Sequence, residues 1–118
     1  MPKSLPVIDL SGVLCCPPVA RGIVSDHDAL DVALRLKALA DPVRVKLISL
    51  LVAEDADGVR NIDLALRLGL SDATMSHHLG QLHRAGLLTR ARRGTSIYYR
   101  VNRSALGALV RVIDLNCC

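Results

Sequence analysis

The chain has no tryptophan and no phenylalanine, and its only two tyrosines, Tyr98 and Tyr99, are adjacent. A core for these 118 residues must therefore be aliphatic, drawn chiefly from Leu, Ala and Val within an apolar share of 51%. That amounts to one domain with a modest core, which a second subunit could share. No apolar run approaches the roughly 18 residues that cross a bilayer. No charged-then-apolar stretch with a cleavage site opens the chain. The expected location is cytoplasmic, with no membrane partner. No internal repeat or low-complexity tract is visible.

Two further scarcities are informative. Cysteine occurs only as two adjacent pairs, Cys15-Cys16 and Cys117-Cys118. In a reducing cytosol such clusters are expected to be ligands or redox sensors rather than structural disulfides. Acidic residues are missing altogether from residues 73–113, which carry seven arginines, whereas residues 1–72 carry ten acidic and eight basic side chains. The net charge of +4 thus conceals one strongly positive segment, the footprint of a phosphate-binding face. A merely solvated surface is the alternative, but these arginines collect on a hairpin and a helix end, where a DNA backbone would lie. The chain has no phosphate-binding loop and no nucleophile–base arrangement, so nothing supports an enzyme.

What is present reads as a series of short helices followed by a hairpin. Residues 1–24 hold four of the five prolines, with Gly12 and Gly22, and are expected to form an extended arm. The main domain is expected over 25–116, with the second thiol pair at 117–118. Ser25 is a good N-cap, with Asp26 and Asp28 favouring the helix dipole. The spacing of Ala29, Val32, Ala33, Leu36 and Leu39 predicts a helix over about 26–40. Asp41-Pro42 is a start signal for a second helix ending near Ala53, with Val45, Ile48, Leu51 and Val52 as its stripe. Glu54 to Gly58 reads as an acidic turn. Asn61 is expected to cap a third helix, with Leu64, Ala65 and Leu68 inward and Gly69 as its stop.

Ser71 then caps a fourth helix, Asp72 to Ala85, whose buried stripe is Met75, Leu79 and Leu82. Leu88 to Arg92 and Ser96 to Val101 read as two strands around an Arg93-Gly94-Thr95 tip, with Tyr98 and Tyr99 on opposite faces. Asn102 is expected to cap a last helix to about Leu115, with Leu106, Leu109, Val110 and Ile113 inward. The predicted fold class is mainly α with a small β-hairpin wing, a winged helix-turn-helix.

That order of elements is a device for reading double-stranded operator DNA. A recognition helix needs short polar side chains that reach base edges and phosphates without blocking the major groove. Ser71, Thr74, Ser76, His77, His78 and Gln81 fit that need. Gln81 suits an adenine edge, and the hydroxyls suit phosphates. Arg90, Arg92 and Arg93 suit phosphate or minor-groove contact, and Gly94 allows a tight tip. Ser76 could equally be a small packing residue. Neighbouring histidines on a helix point about 100° apart and do not face one ion, so His77 and His78 are placed on the DNA side rather than on a metal.

Three segments are familiar: Lys37-Ala-Leu-Ala-Asp-Pro-Val-Arg44, Leu70-Ser-Asp-Ala-Thr-Met-Ser-His-His-Leu79 and Leu82-His-Arg-Ala-Gly-Leu-Leu88. Together they resemble the ArsR/SmtB family of bacterial metal- and metalloid-sensing repressors, over about residues 26–113. The resemblance implies a homodimer joined through its first and last helices, a two-fold operator, and release when an inducer binds. The family's arsenic-type Cys-x-Cys site falls on residues 59–64, which contain no cysteine, and its zinc-type site falls on the last helix, which contains no histidine and only Asp114 as an acid. Neither carries over. Cys15-Cys16 resembles an N-terminal thiol pair that some members use.

Soft thiolates select thiophilic ions: arsenite (As(III)), Cd(II), Pb(II), Zn(II) or Cu(I). Arsenite takes three sulfurs, whereas Cd(II) or Zn(II) could take all four in a tetrahedron. The expected metal ligands are Cys15, Cys16, Cys117 and Cys118, the two pairs converging within or across the dimer, with arsenite as the favoured inducer. Cd(II), Pb(II) or Zn(II) sensing and a thiol-redox switch are the alternatives.

Overall fold

The structure, a computed structural model, describes residues 23–54 and 57–113. Five helices and three strands follow in chain order: α1 (Asp26–Leu39), α2 (Pro42–Glu54), β1 (Val59–Arg60), α3 (Asn61–Leu68), α4 (Asp72–Arg84), β2 (Leu88–Arg93), β3 (Ser96–Val101) and α5 (Arg103–Val112). The mainly helical architecture with a wing is as expected from the sequence. The sheet has three strands rather than two, in the order β1-β3-β2, all antiparallel. Val59 and Arg60 pair with Tyr99 and Tyr98. A two-residue strand is too short to show any alternation, so its partner alone reveals it.

Local chemistry sets most of the boundaries. Ser25 Oγ accepts from Asp28 N at 3.1 Å and starts α1. Asp41 Oδ1 accepts from Val43 N at 2.8 Å and starts α2. Asn61 does not cap α3 but is its first helical residue. The cap position is Arg60, whose side chain makes no cap bond. Arg60 instead forks onto Asp63, Nε to Oδ2 at 3.0 Å and Nη2 to Oδ1 at 3.1 Å. That hydrogen bond holds the Asp63 carboxyl below its ordinary pKa. Gly69 closes α3 at φ +68, a left-handed conformation that β-carbon sterics disfavour, and Leu70 N then donates to Ala65 O at 2.9 Å.

The core is the aliphatic one the composition requires. Leu47, Leu64, Met75, Leu79, Leu82, Leu87 and Leu109 are fully buried, with Tyr99 against them. The expected stripe of α4 and the inward Leu64 and Ala65 of α3 are all buried. On the other helices the buried face differs from the expected one. In α2 the buried residues are Leu47 and Leu51, with Ile48 packed beside them, while Val45 and Val52 are exposed. This helix is apolar nearly all round, so periodicity selects no face. In α5, Ala108, Leu109 and Val112 are buried, while Val110 and Ile113 are exposed, and the helix ends at Val112 rather than near Leu115.

The largest correction lies in α1. Its buried residues are Asp31, Arg35 and Ala38, whereas Ala29, Ala33 and Leu36 face outward. Asp31 and Arg35 neutralise one another one turn apart, which lets two charged side chains lie inside. Of the expected stripe, Val32 and Leu39 pack partly buried against the core, and only Ala29, Ala33 and Leu36 are left on the outer side.

Asn102 joins the wing to α5. Its Oδ1 accepts from Ala105 N at 3.2 Å, capping the helix as expected. Its Nδ2 donates to Gly86 O at 3.2 Å and its backbone N donates to Leu87 O at 2.9 Å. Among the described residues no helix is long and apolar enough to cross a membrane. Cys15, Cys16, Cys117 and Cys118, the expected arm over 1–24 except for its last two residues, and the end of the domain beyond Ile113 lie outside the described residues.

Candidate nucleic-acid interface

The helix-turn-helix is α3, the Gly69-Leu70-Ser71 turn and α4. The two helices pack through Leu64 and Ala65 on one side and Met75 and Leu79 on the other, within the single core cluster. Burying that stripe turns the opposite side of α4 outward. Ser71, Thr74, Ser76 and His77 are exposed, and His78 and Gln81 are half-buried. Thr74, His77, His78 and Gln81 therefore share one side of α4, while Ser76, two residues on from Thr74, points away from it and is exposed rather than packed.

The start of this row is pre-organised. Ser71 Oγ accepts from Thr74 N at 3.1 Å and donates to Thr74 Oγ1 at 2.9 Å. The Thr74 hydroxyl keeps its own proton free to donate. Its neighbours are the first backbone N–H groups of α4, which favour a phosphate oxygen. Farther along, the rings of His77 and His78 are 5.9 Å apart and tilted by 60°. Among the described residues no three or more His, Cys, Asp or Glu side chains are gathered so as to hold a metal ion.

One contributor was not visible in the sequence. Arg44, from the first turn of α2, reaches α4, where its Nε donates to His78 Nδ1 at 3.1 Å. The only sequence signal was its place after the Asp41-Pro42 helix start, which says nothing about what its side chain meets. His83, at the far end of α4, has its pKa lowered by burial first and by the charges of Arg90 and Arg84 next.

The wing sets the arginines apart. β2 runs through Arg93, so the turn is Gly94-Thr95 and not a three-residue tip. Arg90 pairs with Tyr99 and Arg92 with Ile97, which places both on the face that carries buried Leu88. Beyond the core this face continues outward, and both arginines are exposed. Arg93 lies on the other face. Its guanidinium carbon sits 4.2 Å from the centre of the Tyr98 ring, and its Nη2 donates to Asp57 O. Arg93 thus ties the wing to the loop before β1, while Arg90 and Arg92 are exposed, with Arg92 Nε donating to Gly94 O at 3.4 Å.

No protein-family model matches the chain. It is 33% identical over 109 residues to a Halobacterium salinarum protein named for repression of an arsenical resistance operon, spanning 92% of this chain and 88% of that one. Among solved structures, an antimony-specific transcriptional repressor is 28% identical with a TM-score of 0.63, over 76% of this chain and 80% of that one. A homodimeric winged helix-turn-helix DNA-binding domain from Mycobacterium bovis is 28% identical with a TM-score of 0.62, over 75% and 82% of the two chains.

Proposed function

The chain belongs to the ArsR family of winged helix-turn-helix repressors, and on that premise we propose that it is a homodimeric, DNA-binding repressor released from its operator by a thiophilic ion. The observation that carries the DNA-binding part is the grouping on α4: Met75, Leu79 and Leu82 are buried, and the polar residues from Ser71 to Gln81 are left exposed or half-buried. Arg90 and Arg92 stand exposed on the adjoining wing. Helix side chains would enter the major groove and the wing would hold phosphates.

Support for the dimer comes from α1 and α5. These helices pack together, yet Leu30, Leu36, Val110 and Ile113 are exposed on them. Apolar side chains on the outer sides of two adjoining helices favour a partner surface. A relative that forms a homodimer supports the same reading.

Ion release rests on thiol chemistry. Cys15, Cys16, Cys117 and Cys118 are the chain's only thiols, and soft, thiophilic ions are their natural partners. Arsenite is favoured because three sulfurs suffice for it, and the names of the arsenical and antimony relatives point to the same chemical group. Cd(II), Pb(II) or Zn(II) are the next candidates. The test is an anaerobic titration of reduced protein on its own promoter DNA, followed by anisotropy, with arsenite, antimonite, Cd(II), Pb(II) and Zn(II) added in turn. Release by one ion, lost when Cys15 and Cys16 become serine, is the expected result. No release by any ion removes ion sensing and leaves oxidation of the same thiols as the trigger. Retained induction in a Cys117→Ser/Cys118→Ser variant overturns convergence of the two pairs.

A further inference from the structure

Arg44 stands outside the helix-turn-helix, yet its side chain ends on the recognition helix. Nε donates to His78 Nδ1 at 3.1 Å, and Nη1 donates to Ala38 O, near the end of α1, at 3.3 Å. Its own backbone N lies 3.4 Å from Asp41 Oδ1, within the cap of α2. The guanidinium is therefore held between the end of one helix, the start of a second and the middle of α4.

The chemistry of this contact has one direction. Arginine nitrogens only donate, so His78 Nδ1 must accept. A neutral imidazole has one proton, which is then on Nε2. Nε2 has no hydrogen-bond partner among the described residues, and no buried side-chain nitrogen or oxygen there is left unpartnered, so it is open to solvent. His77 next to it is exposed and makes no hydrogen bond among the described residues, so nothing fixes which of its nitrogens carries the proton.

We propose that Arg44 is a positioning residue that locks the ring and tautomer of His78, making His78 an obligate donor to one acceptor-bearing base edge of the operator. The acceptors of that kind in the major groove are guanine N7 and O6, adenine N7 and thymine O4. Two histidines in sequence thus differ in kind: His78 is directed, and His77 is adaptable. This inference rests on α4 being the recognition helix.

The experiment uses full-length reduced protein and anisotropy on three classes of duplex: the operator, its single-base-pair variants and a scrambled sequence, each over a salt series. Arg44→Met and His78→Ala should each weaken operator binding about three- to tenfold, the worth of one hydrogen bond. Both should lose discrimination at the same base pair, and the double variant should lose no more than His78→Ala alone. Scrambled DNA should be bound as before, with an unchanged salt slope. If Arg44 instead contacts phosphate, its loss lowers the salt slope by about one and weakens all sequences alike; that outcome, or additive losses, overturns the proposal. A wild-type protein that does not prefer its operator to scrambled DNA refutes the DNA-reading assignment itself, which is a separate result.

Two further measurements do not depend on how well Arg44→Met folds. His78→Gln places an amide N–H near the Nε2 position and should keep the base preference, whereas His78→Asn should lose it; equal loss in both overturns the proposal. Long-range nitrogen spectra of histidine-labelled wild type should show a single Nε2–H form for His78, and an Nδ1–H form contradicts it.

Discussion

Asp31 and Arg35, one turn apart on α1, are paired inside the fold, with Arg35 Nη1 donating to both the carboxylate and the carbonyl oxygen of Asp31. Their exposures are only 5% and 4%. The pair lets α1 carry two charged side chains inward beside Ala38, while Leu30, Ala33 and Leu36 stand exposed on its outer side.

The consequence for stability is asymmetric. Asp31→Ala strands a buried guanidinium and should lower unfolding free energy by about 3–5 kcal/mol. Replacing both residues together, Asp31→Leu with Arg35→Met, should cost far less. Urea denaturation at one fixed protein concentration checks this, since a dimer's stability varies with concentration. A double variant as damaged as Asp31→Ala would contradict it.

Acid should loosen the end of the recognition helix. Burial first, then Arg90 and Arg84, hold the His83 pKa below its ordinary 6.5. The unfolded chain therefore takes up this proton at a higher pH than the folded one. Stability from this residue is complete above 6.5 and is lost as pH falls through the lowered folded value. Urea midpoints measured between about pH 8 and 5 should fall toward acid, and His83→Gln should flatten part of that fall.

Two glycines separate backbone strain from crowding. An alanine at Gly69 (φ +68) would meet no atom within 4 Å, so its cost is conformational alone, about 1 kcal/mol. At Gly58 (φ +86) a β-carbon would also sit 2.9 Å from the carbonyl oxygen of Tyr99, in β3. Gly58→Ala should lower the melting temperature more than Gly69→Ala and should detach β1. Equal effects would show that the crowding is relieved without cost.

Wing arginines should divide by face. Arg90→Ala and Arg92→Ala should each lower the slope of log affinity against log salt by about one, with little effect on folding. Arg93→Ala removes the contacts to Tyr98 and to Asp57 O instead, so it should lower the melting temperature and leave the slope nearly unchanged. Anisotropy salt series and thermal melts on the same three variants decide this.

The reading head was legible because its signals are local. Ser71 caps, Gly69 stops, and Met75, Leu79 and Leu82 repeat at helical spacing, each within a few residues. What stayed hidden was relational. On α1 periodicity put Val32 and Leu39 against the core but gave no sign that Asp31 and Arg35 would pair on the inner side and leave Ala29, Ala33 and Leu36 outward. β1 exists only because β3 lies beside it. Arg44 meets His78 across 34 positions of sequence, a pairing that no spacing rule contains. The wing arginines were found by charge alone, and charge did not distinguish Arg93, bound to its own fold, from Arg90 and Arg92.

Asn102 uses its amide oxygen, its amide nitrogen and its backbone N–H on three different partners: Ala105 in α5, Gly86 behind α4, and Leu87. One residue thus joins the start of α5 to the elbow between α4 and the wing. Asn102→Asp would keep the oxygen that caps α5 and the backbone bond to Leu87 but delete the donor to Gly86, loosening the elbow while leaving both helices in place.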